Sequence, residues 1–324
     1  MISFIVIGRN EGWKLSLSLA SVLHVIKVND LKEFEIIYVD SNSSDDSTDR
    51  AKKFKQVKTI KLIGVYNAAI ARNIGVEESK GNILFFIDGD MEILPDFLPI
   101  VYSKETGGLE YPFISGQVQH YNYDKEGNFI DNSWQYKEVL KGDKFYTTTG
   151  GVFIVEKRLW QLVGGMDIRF RRGQDLDLAL KLARKGYKML RKKELIAKHH
   201  TISYTHQSRM WGTLVSGDIS FSNSFLYRKH LFNRFVYKKI VKTNYTLLVL
   251  MGISIIGLLT GYRLIGMLYI LVLLLKSIKI KNISFPRMIH LMLFYLVRDL
   301  FTLFYFFIPI PKIMCSDIKY ELIE

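Results

Sequence analysis

Four short apolar runs punctuate the first 88 residues, and their spacing constrains the fold more than any other feature of the chain. They are "ISFIVIG" (2–8), "FEIIYVD" (34–40), "VKTIKLI" (57–63) and "NILFFID" (82–88). Between them lie "WKLSLSLASVLHVI", "STDRAKKF" and "NAAIARNIGVEES", which have helical periodicity or helix-start signals, with Ser47, Thr48 and Asp49 as cap candidates. Continuous apolar runs of this length read as strands buried on both faces, and strand–helix alternation argues for a parallel sheet with helices on both sides. The fold class expected is therefore α/β, with a mostly parallel central sheet and flanking helices. Ligands of such sheets bind beyond the carboxyl ends of the strands. Asp40 ends the second run and Asp88 the fourth, so both acids are expected to look into one crevice.

Further along, turn signals at "TGG", "DKEGN" and "KGD" mark residues 105–147 as hairpins or an irregular connection. "GGVFIVEKRLWQLVGG" reads as a strand leading into a short helix. "GQDLDLALKLARKGY" reads as an amphipathic helix, with Leu176, Leu180 and Ala183 on one face and Gly186 as its stop.

Charge is distributed very unevenly. The chain carries a formal +14, and the stretch 181–242 alone holds 15 Lys/Arg against two acids, Glu194 and Asp218. Long apolar runs follow at 245–262, 264–275 and 288–308. Basic segments beside apolar runs mark the cytoplasmic face of a membrane. A basic nucleic-acid patch explains the charge but not the neighbouring runs, so no nucleic-acid partner is expected. Within 223–242, Phe225, Phe232, Phe235, Val236 and Ile240 fall roughly on one helical face, the habit of an interfacial helix. Residues 245–275 would extend about 46 Å as one helix, more than the roughly 30 Å hydrocarbon layer, and "TGYR" interrupts them. A short helical hairpin with both ends cytoplasmic fits better. The last run is long enough to cross but contains Arg298-Asp299, a costly pair unless partnered, which leaves a span and a half-buried interfacial helix both open. "MISFIVI" is too short for a signal peptide before polar "GRNEG", and the single cysteine, Cys315, suits a reducing compartment. The soluble part is expected to stay in the cytoplasm.

Asp88 and Asp90 are spaced i, i+2 on a turn after a buried strand, where two carboxylates reach one hard divalent cation such as Mg2+. "YVDSNSSDDSTD" adds an acid at a strand end, able to hydrogen-bond a base or ribose, and a helix start suited to phosphate. Arg72 supplies a cation for a diphosphate, and Asp175, at the start of its helix, is a candidate general base. Asp177 points to another side of that helix and reads as a cap or solvent-facing group.

"SFIVIGRNEG", "IIYVDSNSSDDSTD", "ARNIGVEESKGNILFFIDGDMEI", "TTGGVFIVEKRLWQLVGGMD" and "RGQDLDLALKLARKGY" occur in the order seen in family-2 glycosyltransferases. Over about residues 1–200 the chain resembles that family. The resemblance implies a GT-A nucleotide-sugar fold and an inverting, metal-dependent transfer of sugar from a nucleotide-diphosphate sugar, with Mg2+ or Mn2+ as cofactor. It assigns the base contact to Asp40, the metal to Asp90, ribose or metal-bound water to Asp88, and the general base to Asp175, with Arg72 as the arginine of the "ARN" element. Gln174 departs from the pattern, which has an acid there. Relatives also use a histidine near "KHHTISYTHQSRMW" for metal or phosphate, making His200, or His199, a candidate metal contact; the role of His206 is open.

"QSRMW" is similar to the Gln-x-x-Arg-Trp motif of processive synthases, but Arg209 is one position early, and a non-processive enzyme is expected. Arg209 and Trp211 are acceptor candidates, as is Trp134, which with Tyr136 can stack on a sugar face. The expected domains are a cytoplasmic GT-A domain (1–220), a basic interfacial helix (221–243), and membrane-anchoring helices with a tail (244–324). The expected partners are a nucleotide-sugar donor, membrane lipid and a polyprenyl-linked or other glycan acceptor, in surface-polysaccharide or glycan assembly. Two rival expectations are transfer to a polyprenyl phosphate itself, which needs no general base, and a non-catalytic membrane scaffold.

Overall fold

The structure, a computed structural model, describes residues 1–124, 126–135, 139–202, 207–261, 266–280, 283–310, 312–313 and 315–323, excluding the side chains of 207–210 and 315. Two compact units are present: Met1–Tyr204 with Lys312–Glu324, and Thr205–Pro311.

The first unit opens with β1 (Ile2–Gly8), α1 (Trp13–Val28), β2 (Phe34–Asp40), α2 (Ser47–Lys52), β3 (Val57–Leu62), α3 (Ala68–Glu77) and β4 (Ile83–Asp88). β5 (Met91–Ile93), α4 (Leu98–Val101), β6 (Tyr102–Ser103), β7 (Gly108–Leu109), β8 (Phe113–Tyr123) and β9 (Phe129–Trp134) follow. The unit continues with β10 (Lys144–Tyr146), β11 (Phe153–Glu156), α5 (Lys157–Leu162), α6 (Gln174–Arg184) and β12 (Met189–Ile202). The described residues form an eleven-stranded sheet ordered β10-β12-β8-β11-β4-β1-β2-β3 and then a final strand, β13 (Tyr320–Ile323), with β5 paired to β12 and β9 to β8.

The four expected strands form the parallel heart of that sheet: β1 pairs parallel with β2 and β4, and β2 with β3. Their continuous hydrophobicity has a direct cause. Phe4, Val6, Phe85 and Ile87 face a core closed by Leu15, Leu19 and Val22 of α1, while the alternate residues Ile5, Ile7, Leu84 and Phe86 face α3, α5 and α6. Both faces are covered, so polar alternation has no place. Gly75 allows α3 to lie close on the sheet, since a Cβ there would sit 2.4 Å from Cγ2 of Ile5. Beyond β4 the sheet turns mixed: β11 runs antiparallel to β4 and β8, and the turn-rich region supplies the antiparallel β8–β9 pair.

Lys312–Glu324 belong to this first unit. The sequence reading grouped them with the membrane helices, yet Tyr320–Ile323 pairs antiparallel with β3, and Tyr320 donates to Glu78 Oε1 at 2.7 Å. Backbone hydrogen bonding at the open edge of β3 is what draws the segment there.

The second unit holds α7 (Gln207–Val215), α8 (Asp218–Lys229), α9 (Arg234–Thr243), α10 (Tyr245–Thr260), α11 (Gly266–Ile278) and α12 (Phe285–Phe307). Where the sequence suggested one interfacial helix over 221–243, there are two: Asn233 starts α9 by accepting from the Phe235 amide at 3.1 Å. Phe225, Phe235, Val236 and Ile240 are buried within the unit, and of that stripe only Phe232 stands out, 86% exposed. α9 and α10 meet at a 91° bend, and α12 is long and apolar enough by length and composition to cross a membrane. The Arg298-Asp299 pair is buried and internally satisfied. Arg298 donates to Asp299 and to Thr246 Oγ1 (3.0 Å), and Tyr269 donates to Asp299 at 2.9 Å.

Candidate active site

The site builds from the carboxyl ends of β1, β2 and β4. After β1, the chain turns through Asn10, which adopts a left-handed φ of 57°. Its Oδ1 accepts the Ser44 amide at 2.8 Å, and Ser47 Oγ accepts the amides of Glu11 and Gly12, both at 3.0 Å. The loops after β1 and β2 are thereby fastened to each other.

Asp40 is fully buried beneath these loops. Its carboxylate accepts from the Tyr38 hydroxyl (2.9 Å), the Ser43 amide (2.7 Å) and the Ser43 hydroxyl. Burial, followed by the Asp40 charge, pushes the Tyr38 hydroxyl well above its ordinary range. As placed, Asp40 braces the 41–47 turn instead of opening into the crevice.

Asp88 is one-third exposed at the end of β4, and Arg72, 3% exposed on α3, donates to its Oδ1 at 2.5 Å. Arg72 Nε is buried with no partner among the described residues. α3 starts at Asn67, whose Oδ1 accepts the amides of Ala69 and Ile70 and so sets the phase that turns Arg72 toward β4. Burial raises the Asp88 pKa to about 6; Arg72 opposes that rise, and the charges of Asp90 and Asp175 add to it. Asp175 lies in the first turn of α6. Four acids expected from the sequence thus fall at one end of the sheet, with Asp88 and Asp90 at its mouth and Asp175 within electrostatic reach of Asp88. Gly151 packs so closely that a Cβ there would lie 1.9 Å from Asp88 Oδ2, which explains the second glycine of "TTGGVF".

Asp90 and His199 are hydrogen-bonded, Nε2 to Oδ2, at 2.9 Å. Burial pushes Asp90 up, but the His199 bond and charge outweigh it and hold the carboxyl below its usual range; the same bond holds the His199 imidazole above its usual range against the effect of burial. His120 meets the other nitrogen of His199, Nδ1 to Nδ1 at 2.8 Å, and burial lowers the His120 pKa. His200, the metal contact expected first, lies elsewhere. It bonds Tyr123 (2.9 Å) and Glu92 (3.1 Å), while the Asp90 carbonyl accepts its backbone amide at 2.8 Å. Adjacent strand residues point to opposite faces, so only one of the pair can reach Asp90.

Glu11 was not singled out from the sequence. Burial and the Asp90 charge raise its pKa, and Lys14 pairs with it at 2.6 Å. Its signal was its place, three residues beyond β1 in "GRNEG". Asp177, expected as a cap or solvent-facing group, is fully buried with Lys181 at 3.6 Å, and Lys181 donates to the carbonyls of Val163 (3.1 Å) and Gly165. α6 is buried nearly all round, which leaves Asp177 no outward side. Gln174 Oε1 is buried with no partner among the described residues.

Trp134 is half-buried on β9. In the second unit, Trp211 donates to His290 Nε2 at 2.7 Å and packs edge-on against Phe294. The Arg209 side chain, Tyr136 and His206 lie outside the described residues.

A divalent cation fits this donor set in one particular way. Among the described residues no group of three or more His, Cys, Asp or Glu side chains forms a metal cage. Asp90 with His199, and Asp88 nearby, suit a cation that completes its shell with phosphate oxygens and water, as Mg2+ does at nucleotide sites.

Residues 3–150 match the model of glycosyl transferase family 2. Two similar solved structures are a mannosyltransferase from Pyrobaculum calidifontis in complex with GDP-Man and Mn2+, and GalNAc-T7 with UDP, GalNAc and Mn2+. The first has a TM-score of 0.57 at 12% identity over 93% of this chain and 86% of that one. The second has a TM-score of 0.51 at 17% identity over 64% of this chain, which spans only 45% of GalNAc-T7. No curated protein matches the sequence. Residues 3–150, less than half of the chain, are therefore similar to glycosyltransferase family 2, and the first unit has the GT-A fold.

Proposed function

We propose that the protein is a membrane-associated, inverting glycosyltransferase that moves a sugar from a nucleoside-diphosphate sugar to a hydroxyl of a polyprenyl-linked or other glycan acceptor. The observation that carries this reading is the gathering of Arg72–Asp88, Asp90–His199 and Asp175 at one end of the parallel strands. The two solved structures above were obtained with UDP or GDP-Man and with Mn2+, which supports the same donor class and cofactor here.

In this reading Asp90 and His199 would hold a divalent cation, and Asp88, steadied by Arg72, would face the donor ribose or a water beside the cation. A divalent cation, when bound, neutralises charge building on the leaving diphosphate. Asp175 takes the proton from the acceptor hydroxyl as that oxygen attacks the anomeric carbon from the face opposite the leaving group. One displacement follows, with inversion. Ser43 and the amides of the 41–47 turn, braced by Asp40, form the nucleoside end of the site.

Membrane association is supported by α12 and by apolar side chains left bare on α10 and α12: Leu258, Leu259 and Phe307 are each more than 80% exposed. Exposed apolar surface of that extent marks a membrane or protein partner. A catalytic unit attached to it would work at the lipid surface, on its cytoplasmic side.

The test is nucleoside-diphosphate release by the detergent-purified chain, with UDP-, GDP- and dTDP-sugars, Mn2+ or Mg2+, and a lipid extract as acceptor source. Release that needs one donor, lipid, Asp90 and Asp175 supports the proposal. Lipid-dependent release that survives Asp175→Asn favours transfer to lipid phosphate, and no release from any donor favours a scaffold.

A further inference from the structure

We propose that His120 is a positioning residue: it accepts a hydrogen bond from Nδ1–H of His199 and so turns Nε2 of His199 toward the cation site beside Asp90. The proposal rests on the site reading given above and names the group that makes His199 competent in it.

β8 and β12 are parallel neighbours, and His120 is the register partner of His199. The two rings lie 4.9 Å apart, tilted by 58°. His199 is engaged at both nitrogens, by Asp90 at 2.9 Å and by His120 at 2.8 Å. His200, one position on, is satisfied by Glu92 and Tyr123 and does not bond Asp90 through its ring.

Nε2–H of His199 donates to the Asp90 carboxylate, which can only accept; when Nε2 instead ligates a cation, valence decides the direction of the Nδ1–Nδ1 bond. A ligating Nε2 must present a lone pair, and neutral imidazole keeps one N–H, so that hydrogen must sit on Nδ1 of His199. A contact of 2.8 Å between two ring nitrogens requires one hydrogen between them. His120 must then accept at Nδ1 and carry its own hydrogen on Nε2. No other neutral pair keeps both the hydrogen bond and a free Nε2 lone pair. The usual partners of a ligating histidine are carboxylates, carbonyls or water; here a second histidine takes that place.

The side chains that can replace His120 follow from this. Phenylalanine or leucine fills the space but accepts nothing, leaving the His199 N–H without its partner. Asparagine places Oδ1 as many bonds from Cα as Nδ1 of histidine and accepts in the same way. Loss of such an outer partner costs about 10- to 100-fold in metal affinity.

The experiment is a Mn2+ titration of the full detergent-purified chain, followed by the EPR signal of free Mn2+, with GDP or UDP present in separate series and thermal unfolding as a fold check. His120→Phe and His120→Leu are expected to weaken protein-dependent Mn2+ binding at least about 10-fold, and His120→Asn to restore most of it. Unchanged binding in either folded apolar variant overturns the proposal, as does an asparagine variant no better than leucine, because packing alone would then explain the residue. Wild-type protein that binds no Mn2+ with either nucleotide, or binds it equally after Asp90→Ala, overturns the underlying site reading together with the proposal.

Discussion

Gly151→Ala tests how the Asp88 carboxylate is held. A Cβ at this position would sit 1.9 Å from Asp88 Oδ2 and 2.7 Å from its Cγ, whereas ordinary contacts begin at 3.4 Å. The carboxylate must therefore retreat by about 1.5 Å, and backbone on both sides offers little give. That retreat separates Asp88 from Arg72, which is 3% exposed and would be left as a buried charge without its acid. Breaking a buried pair costs about 3–5 kcal/mol. Asp88 is one-third exposed, so water can follow it, and about 1–2 kcal/mol is the better expectation at this screened site. Misplacing a positioned group by about 1 Å can lower turnover about 100-fold. The assay is nucleoside-diphosphate release with the productive donor, beside thermal unfolding of the same samples. Arg72→Met removes the charge that the alanine strands, so the glycine substitution should cost much less stability in that background. Activity within twofold of wild type, or strictly additive stability losses in the double variant, would refute this account.

Three further outcomes follow from packing and charge. Gly75→Ala should overpack α3 against Ile5 and destabilise the protein by about 1–3 kcal/mol, read by chemical denaturation. Asp299→Ala leaves Arg298 buried and unpaired in the second unit and should cost more in thermal stability than Tyr269→Phe, which removes one neutral donor to the same carboxylate. Tyr320→Phe should destabilise at neutral pH and become nearly silent in acid. Lys58 and then Tyr320 hold the Glu78 pKa below its ordinary 4.5, so the carboxylate's contribution is present above that value and is lost as pH falls through the lowered one. Unfolding of both proteins across pH 7 to 3 checks the sign.

The parallel heart of the sheet was legible because its strands are covered on both faces and must be apolar at every position. The Asp88–Asp90 mouth was legible for the same reason: abrupt polarity after such a run needs a cause. Asp40 shows the limit of that reasoning. It ends a strand as Asp88 does, but Tyr38 and Ser43 lie within reach and satisfy it internally. The choice between His199 and His200 depended on strand phase, and β12 carries register shifts between Arg191 and Ala197 that erase any parity read from sequence. Asp177 was misread because helix amphipathicity assumes one wet side, which α6 scarcely has. The strand "YELI" gave no signal, since four residues mean little without the distant edge that they complete.

That distant edge sets an order of events during synthesis. Tyr320 meets Leu62 across roughly 260 positions, and at about 5–20 residues per second the ribosome needs about 13–50 s to bridge them. The six helices described in the second unit emerge in that interval, while β3 still exposes a free row of amides and carbonyls. The apolar helices thus leave the ribosome before the parallel sheet is sealed at that edge. A chaperone or membrane surface that engages the nascent chain before then meets a sheet whose margin is still open.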